Sequence, residues 1–212
     1  MIVSVFGASS RLGHVFIEQA DAAGLSMRLH YRAKPSEKVP ASATVVVGSL
    51  SDPAAVREVL RGTDVALVLF GHKADARVPY CAAATKVIVA AMRALGQSRL
   101  IVVTDAMTGE LPGNVGMGAK LMNIFTKRSA HDGMLEDREE QERIVRASKL
   151  DGWTLVKPPK FTEGAGNGVV KIGPAQNIGV GSKISRTLLA KALLTEVTAP
   201  QYAQQSVYVA EG

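Results

Sequence analysis

The stretch Ile2-Val3-Ser4-Val5-Phe6-Gly7-Ala8-Ser9-Ser10-Arg11-Leu12-Gly13-His14 decides the fold of this chain. Five residues of strand character end at Gly7, a polar turn follows, and an amphipathic run then places Leu12, Phe16 and Ala20 on one face. We therefore predict a strand, a tight turn and a helix whose N-terminus points into the turn. Such a helix end presents free backbone N–H groups and a positive dipole, so it attracts phosphate.

The two glycines of this turn have different expected roles. Gly7 lets the chain turn sharply, and Gly13 lets the helix pack closely against the strand. Dinucleotide-binding turns usually carry a third glycine between them, and Ser10 stands at that position here. The pattern favours a dinucleotide site, and a short strand–helix turn in another kind of enzyme is the alternative.

Composition limits the class of protein. The chain has 212 residues, of which 47% are hydrophobic and 21% charged, which predicts one domain with a full core. We expect no membrane segment and no signal peptide, and the single cysteine fits a cytoplasmic chain. The net charge of +6 comes from scattered basic residues with few aromatic ones between them. We therefore expect an anionic small molecule as the partner, and neither nucleic acid nor a membrane.

Strand and helix patterns alternate along the rest of the chain. Predicted strands cover 27–31, 44–47, 65–70, 100–104, 153–157 and 206–209, and predicted helices cover 53–60, 78–95, 134–148 and 184–195. Strands joined through helices imply right-handed crossovers, so we predict an α/β fold with a doubly wound parallel sheet of the Rossmann type, in a single domain over 1–212. The predicted substrate-side loops lie at about 107–131 and 160–183. Within the second, the glycine-rich segment 164–181 predicts a loop or a loose hairpin.

The loop after the second strand decides the choice of cofactor. An acid close to the end of that strand, roughly 20 residues beyond the glycines, binds the ribose 2′-OH of NAD. Here the segment reads Tyr31-Arg32-Ala33-Lys34-Pro35-Ser36-Glu37-Lys38, with no acid close to the strand end. Arg32, with Lys34 or Ser36, could hold a 2′-phosphate, and Arg11 could close on it from the other side. We expect NADP over NAD, with a solvated basic loop as the alternative.

Six segments occur in an order that carries a family resemblance, at 6–13, 31–32, 46–52, 67–72, 88–92 and 144–159. Together they resemble the atypical short-chain dehydrogenases/reductases with an NAD(P)H-binding domain, and most of all the flavin reductases of the biliverdin reductase B type. The chain departs from the family pattern at Ser49, where an acid is usual, and at Lys149, where a glycine is usual. The resemblance covers nearly the whole chain.

The resemblance implies a monomer, or a dimer, that uses NADPH to reduce a flavin such as FMN or FAD, a biliverdin-like tetrapyrrole or a quinone. It also implies cofactor contacts by position. The pyrophosphate would be bound by Gly7, Ala8, Ser9, Ser10, Arg11, Leu12 and Gly13, and the 2′-phosphate by Arg32. Adenine would lie between Ser49 and Leu50, and the ribose against Phe70, Gly71 and His72. The nicotinamide would be bordered by Thr104, Lys157 and Pro158.

The proton donor of ordinary short-chain dehydrogenases is missing. Those enzymes use Tyr-x-x-x-Lys, and no tyrosine of this chain is followed by a lysine at that spacing. Hydride transfer to a flavin needs less, because N5 accepts the hydride and water can supply the proton.

Two residues are candidates for catalysis. Asp105 stands where the flavin reductases place a serine, and Arg138 falls near the histidine or lysine of their charged helix. Asp105 could donate a proton only if burial raised its pKa, and otherwise it would hydrogen-bond the nicotinamide amide or cap the next segment. Arg138 lies in a charged run that is equally typical of a solvated helix face.

We expect no metal site, because the four histidines lack zinc-like spacing, and no nucleophilic role for Cys81 inside a predicted helix without a nearby base. The apolar segment 117–125 is either a mobile lid or part of the core. A second class of function stays open: a dinucleotide-sensing regulator similar to the NmrA-like proteins, without turnover. The missing Tyr-x-x-x-Lys and Asp105 favour the regulator, and the short chain favours the reductase.

Overall fold

The computed structural model describes residues 1–72, 78–109, 133–166, 168–176, 178 and 181–211. Strands in these ranges are β1 Ile2–Phe6, β2 Ser26–Tyr31, β3 Ala43–Val47, β4 Val65–Val68, β5 Arg99–Val103, β6 Gly152–Lys157, β7 Lys160–Thr162, β8 Val170–Gly173, β9 Lys183–Ser185 and β10 Gln205–Glu211. Helices are α1 Arg11–Ala22, α2 Pro53–Leu60, α3 Cys81–Ala94, α4 Met134–Arg146 and α5 Arg186–Thr198.

Eight of these strands form one sheet in the order β3-β2-β1-β4-β5-β6-β10-β8. Every neighbouring pair is parallel except β10 and β8, which are antiparallel. The order reverses between β1 and β4, which is the switch point where doubly wound sheets bind ligands. The predicted Rossmann-type parallel sheet in a single domain is confirmed.

The sheet is buried on both faces because neighbouring residues of its central strands point into different cores. In β4, Val65 and Leu67 join the core under α1 and α5, whereas Ala66 and Val68 join the core under α2, α3 and α4. This alternation explains why the strand reads as a continuous apolar run.

Several predicted segments differ from the structure. Helix α3 begins at Cys81 and not at 78, and α5 begins at Arg186 because Ile184 lies in β9. Strand β4 ends at Val68, two residues early. The prediction of a loop or loose hairpin over 164–181 was wrong for Val170–Gly173, which pairs with β10 as an edge strand. The segment 117–125, predicted as a lid or as part of the core, lies outside the described residues.

No helix in the described ranges combines the length and the apolar character needed to cross a membrane.

Candidate functional site

The turn between β1 and α1 admits only glycine at two positions. Gly7 has a φ of +99°, and a Cβ atom there would lie 2.6 Å from the backbone nitrogen of Phe70. A Cβ atom on Gly13 would lie 2.3 Å from the carbonyl oxygen of Gly7. The first glycine therefore allows β1 and the end of β4 to approach each other, and the second allows α1 to begin directly against the turn.

Ser10 takes the place of the usual middle glycine and caps α1. Its hydroxyl accepts a hydrogen bond from the N–H of Gly13 at 2.9 Å, and its own N–H donates to the carbonyl of Gly7 at 3.0 Å. Among the described residues, nothing accepts from the N–H groups of Arg11 and Leu12. These first-turn donors, together with the helix dipole, suit an anion such as a pyrophosphate.

The loop after β2 contains an exposed arginine, Arg32, and a glutamate, Glu37, whose carboxylate contacts two other side chains. Arg32 is exposed and has no ion-pair partner among the described residues. Glu37 lies 3.3 Å from Nε2 of His14 and hydrogen-bonds Tyr31, and burial together with this carboxylate raises the pKa of Tyr31 to about 12. The contact between Glu37 and the end of β2 was missed from the sequence, because it depends on how the loop folds back.

Arg11 contacts the predicted substrate side of the molecule. Its guanidinium lies 3.1 Å from Glu163, which also binds Arg186 at 2.6 Å. Glu163 belongs to the predicted substrate-side loop 160–183 and lines an open cavity of about 660 Å³ together with Lys183 and Glu211. Arg11 is thus already paired, so the expectation that it closes on the 2′-phosphate has no support in its observed contacts.

The predicted adenine side lies between β3 and α2. Ser49 is exposed and accepts from the N–H of Ser51 at 3.2 Å, whereas Leu50 packs against the core under α2. Beside them, the buried His30 ring contacts the carbonyl oxygen of Gly48 at 2.9 Å. Burial lowers the pKa of His30, and this hydrogen bond opposes the shift.

Arg138 does not lie on a solvated helix face. Its guanidinium donates to the carbonyl oxygens of Phe70 at 3.3 Å and Val103 at 3.1 Å, and to Gln141 at 2.6 Å. It therefore ties together the carboxyl ends of β4 and β5, beside the predicted ribose contacts Phe70 and Gly71. The described contacts are structural, and a catalytic role for Arg138 stays a prediction.

Cys81 is the first residue of α3 and not an interior one, and His72 and Asp137 lie beside it. The carboxylate of Asp137 accepts from the backbone N–H groups of Tyr80, Cys81 and Ala82 at 3.1, 2.7 and 3.1 Å. The expectation that Cys81 has no nearby base was wrong. Burial nevertheless raises the pKa of its thiol to about 11, so the thiolate is scarce at neutral pH.

Lys157, predicted to border the nicotinamide, turns its side chain into a buried network. Its ammonium lies 3.0 Å from Glu142, and both side chains are fully buried. Glu142 also accepts from Thr104 at 2.8 Å and from Arg146 at 2.8 Å, and Lys157 donates to the carbonyl of Thr108. Burial lowers the pKa of Lys157, and the charge of Glu142 opposes the shift.

At this edge the ends of β5 and β6 are also joined through their backbones. The carbonyl oxygen of Pro158 accepts from the N–H of Ala106 at 2.9 Å, which holds the ends of β5 and β6 side by side. The ammonium of Lys157 is occupied elsewhere, so its predicted contact with the nicotinamide is restricted to its main chain.

Asp105 is exposed at the end of β5. Its Oδ1 accepts a hydrogen bond from the N–H of Met107 at 2.8 Å. Asp105 therefore lacks the burial that a proton-donating role requires. Its observed hydrogen bond matches the alternative expectation, that Asp105 caps the next segment.

The reversed strand order, the glycine turn and the capped helix at the switch point together define a dinucleotide-binding Rossmann protein. The chain belongs to the NAD(P)H-binding family, whose model matches residues 7–200. It therefore contains a nicotinamide-cofactor-binding domain.

Solved structures support the same fold. A protein from Burkholderia pseudomallei, described as exported, is 25% identical with a TM-score of 0.79, covering 99% of both chains. A short-chain dehydrogenase/reductase from Veillonella parvula in complex with NADP is 16% identical with a TM-score of 0.80, covering 99% of this chain and 94% of the other. The anaerobilin reductase ChuY from Escherichia coli O157:H7 is 18% identical with a TM-score of 0.77, covering 100% of this chain and 97% of the other.

Proposed function

We propose that this protein is an NADPH-dependent reductase that transfers a hydride to a flavin, a quinone or a similar planar acceptor. The observation that carries the proposal is the Gly7–Gly13 turn at the sheet's switch point, in a chain of the NAD(P)H-binding family. A reduced nicotinamide bound there supplies the hydride. The fold shared with an anaerobilin reductase is compatible with a planar acceptor.

The choice of a planar acceptor rests on what the chain does not offer. It lacks Tyr-x-x-x-Lys, and Asp105 is exposed and engaged with Met107. Neither candidate acid is therefore in place to donate a proton in the described part of the chain, whereas a flavin takes the hydride at N5 and its proton from water. The residues of this chain bind and orient the two partners.

The preference for NADPH over NADH rests on Arg32. It extends from the end of β2 without an ion-pair partner in the described part of the chain, and the nearest acid of the loop, Glu37, is held by Tyr31 and His14. A guanidinium placed there binds a 2′-phosphate through charge-assisted hydrogen bonds.

Replacing Arg32 tests the cofactor choice. Arg32→Ala should weaken NADPH binding about 10- to 100-fold and leave NADH binding nearly unchanged, because only NADPH carries the 2′-phosphate. Fluorescence titration of the two reduced cofactors measures both constants. Arg57→Ala, an exposed arginine on α2, is the matched control and should change neither. An equal loss for NADPH and NADH in Arg32→Ala would reject the assignment.

A panel of acceptors tests the reaction. Purified protein is mixed with NADPH and with FMN, FAD, quinones or biliverdin in turn, and oxidation is followed at the nicotinamide absorbance band. We expect turnover with at least one planar acceptor and none with simple ketones. Tight NADPH binding with no oxidation for any acceptor would reject the reductase and support a dinucleotide-sensing regulator instead.

A further inference from the structure

We propose that His72, Cys81 and Asp137 form a binding site for a zinc-like divalent ion, with three protein ligands and one open position. The site lies between the carboxyl end of β4, the first residue of α3 and the first turn of α4. It adjoins the predicted ribose contacts, of which His72 is one, but its test does not depend on the proposed reductase activity, because metal binding is measured without cofactor. Asp137 lies 56 residues from Cys81 along the chain.

The geometry of the three side chains suits a tetrahedral ion. One ligand atom from each residue, the imidazole nitrogen, the thiol sulfur and a carboxylate oxygen, lies within 4.8 Å of the other two. Zinc bond lengths put nitrogen and sulfur ligands about 3.5 Å apart in a tetrahedral site, so the three side chains need only small shifts to surround an ion. All three residue types are ordinary zinc ligands.

The imidazole of His72 is only partly satisfied by its ion-pair contact with Asp137. Its Nε2 is buried and has no hydrogen-bond partner among the described residues. It lies 2.8 Å from Oδ2 of Asp137, but this contact lacks hydrogen-bond geometry, and that oxygen already accepts from Tyr80 and Cys81. A metal ion bound by both side chains would give this buried nitrogen a directed bond, which the present contact lacks.

Asp137 retains room for a metal bond. Its Oδ1 accepts one hydrogen bond, from the N–H of Ala82. A carboxylate offers about four lone-pair positions, and the three backbone donors occupy three of them. The thiol of Cys81 also hydrogen-bonds Asp137, and that position is released to an ion when the thiol loses its proton.

Two of the three ligands are anionic when an ion is bound, while Arg138 adds one positive charge beside Cys81. On binding, the thiol of Cys81 gives its proton to solvent, so that a thiolate and the carboxylate of Asp137 neutralise the two positive charges of the ion. Burial raises the pKa of this thiol and the contact with Arg138 opposes that shift, so ion binding must supply the free energy that removes the proton. Tyr80 also faces this group, with its hydroxyl donating to the carbonyl of Gly71.

A cobalt titration tests the site with a thiolate-specific signal. The full chain, free of any polyhistidine tag and of cofactor, is titrated with Co²⁺ while the thiolate-to-cobalt charge-transfer band is recorded. Because the chain has one cysteine, such a band can come only from Cys81. We expect the band to saturate at one Co²⁺ per chain, to disappear when Zn²⁺ is added, and to be accompanied by proton release. A band that is absent overturns the proposal.

Variants separate the proposed ligands from their neighbours. Cys81→Ser and His72→Gln should each weaken Zn²⁺ binding by about 10- to 100-fold or more, because even the loss of a residue that only supports a metal ligand has an effect of that size. Calorimetry measures the affinity. Glu136→Gln, which removes the acid next to Asp137 on the same helix, is the matched control and should bind Zn²⁺ as the unmodified chain does. Circular dichroism confirms that each variant is folded. Unchanged Zn²⁺ affinity in folded Cys81→Ser and His72→Gln overturns the site.

Discussion

Gly13 shows how one missing side chain determines the phosphate-binding turn. Gly13→Ala would place a Cβ atom 2.3 Å from the carbonyl oxygen of Gly7 and 2.6 Å from that of Ala8. Since both obstacles are backbone, α1 must shift, and we expect a loss of about 1–3 kcal/mol in the free energy of unfolding. NADPH affinity should fall with it, because the helix N-terminus moves. Urea denaturation and cofactor titration measure the two effects.

Gly173→Ala is the matched control for Gly13→Ala. Nothing lies within 4 Å of a Cβ atom built on Gly173 in β8. We expect this variant to stay within about 0.5 kcal/mol of the parent chain and to bind NADPH normally. Equal losses in the two variants would show that the close approach at Gly13 is not what restricts the position.

His30 makes the stability of the fold depend on pH. Burial is the main cause that lowers its pKa below the unfolded value of 6.5, and the charge of Arg32 adds to it. Below pH 6.5 the unfolded chain therefore binds more protons than the folded one, and the free energy of unfolding falls as the pH drops toward the folded-state pKa. The slope from this one group is at most about 1.4 kcal/mol per pH unit.

His30→Gln isolates this contribution, since the amide can still donate to Gly48. Urea denaturation between about pH 8 and 5 should show that the parent chain loses more stability on acidification than the variant does. Parallel profiles for the two chains would contradict the assignment to His30.

At the level of elements, the N-terminus of α3 is capped by a side chain of α4. Asp137 accepts three backbone N–H groups there while remaining about nine-tenths buried. Asp137→Ala should cost about 2 kcal/mol or more, because the donors lose their partner away from water. Asp52→Ala removes the exposed cap of α2, which accepts from Ala54, and should cost about 0.5–1 kcal/mol. Thermal unfolding of both variants compares the caps, and a larger loss in Asp52→Ala would refute this ranking.

The elements predicted best from the sequence are those with local signals. Asp52-Pro53 marked the start of α2, and the apolar runs marked β1, β5 and β6 within one or two residues. The start of α3 was misplaced, because its cap comes from Asp137 and has no trace in the preceding residues. Strand β8 was missed since its short run between glycines becomes a strand only by pairing with β10.

At the scale of the whole molecule, the amino ends of the strands hold structural contacts and the carboxyl ends hold the candidate cofactor site. The amino ends of β5 and β6 are closed by Arg99, which binds Glu196 of α5 at 2.6 Å and donates to Thr154. At the carboxyl ends of the strands lie the glycine turn after β1, Arg32 after β2 and the residues that follow β4 and β5. Because the chain is one domain, a ligand bound at the carboxyl edge should stabilise all of it.

NADPH should therefore raise the unfolding temperature in a single transition. At about 100 times its dissociation constant a ligand adds about 2.7 kcal/mol, which corresponds to about 5–10 °C for a chain of this size. NADH at the same concentration should produce a smaller shift, and Arg32→Ala should remove the difference. Differential scanning calorimetry measures these shifts. Two separate transitions, or equal shifts for both cofactors in the parent chain, would contradict the prediction.

By itself, the sequence of this protein determined the alternation of strands and helices, the glycine turn and the basic end of β2, because hydrophobic periodicity and turn residues act over a few neighbouring positions. Only the tertiary structure decided what the charged and polar side chains do. In the structure, the ammonium of Lys157 contacts Glu142 and Glu37 hydrogen-bonds Tyr31. His72, Cys81 and Asp137 lie together. The contacts of Lys157 and of the His72 group join different elements, and sequence spacing carries no record of which helix folds back over which strand.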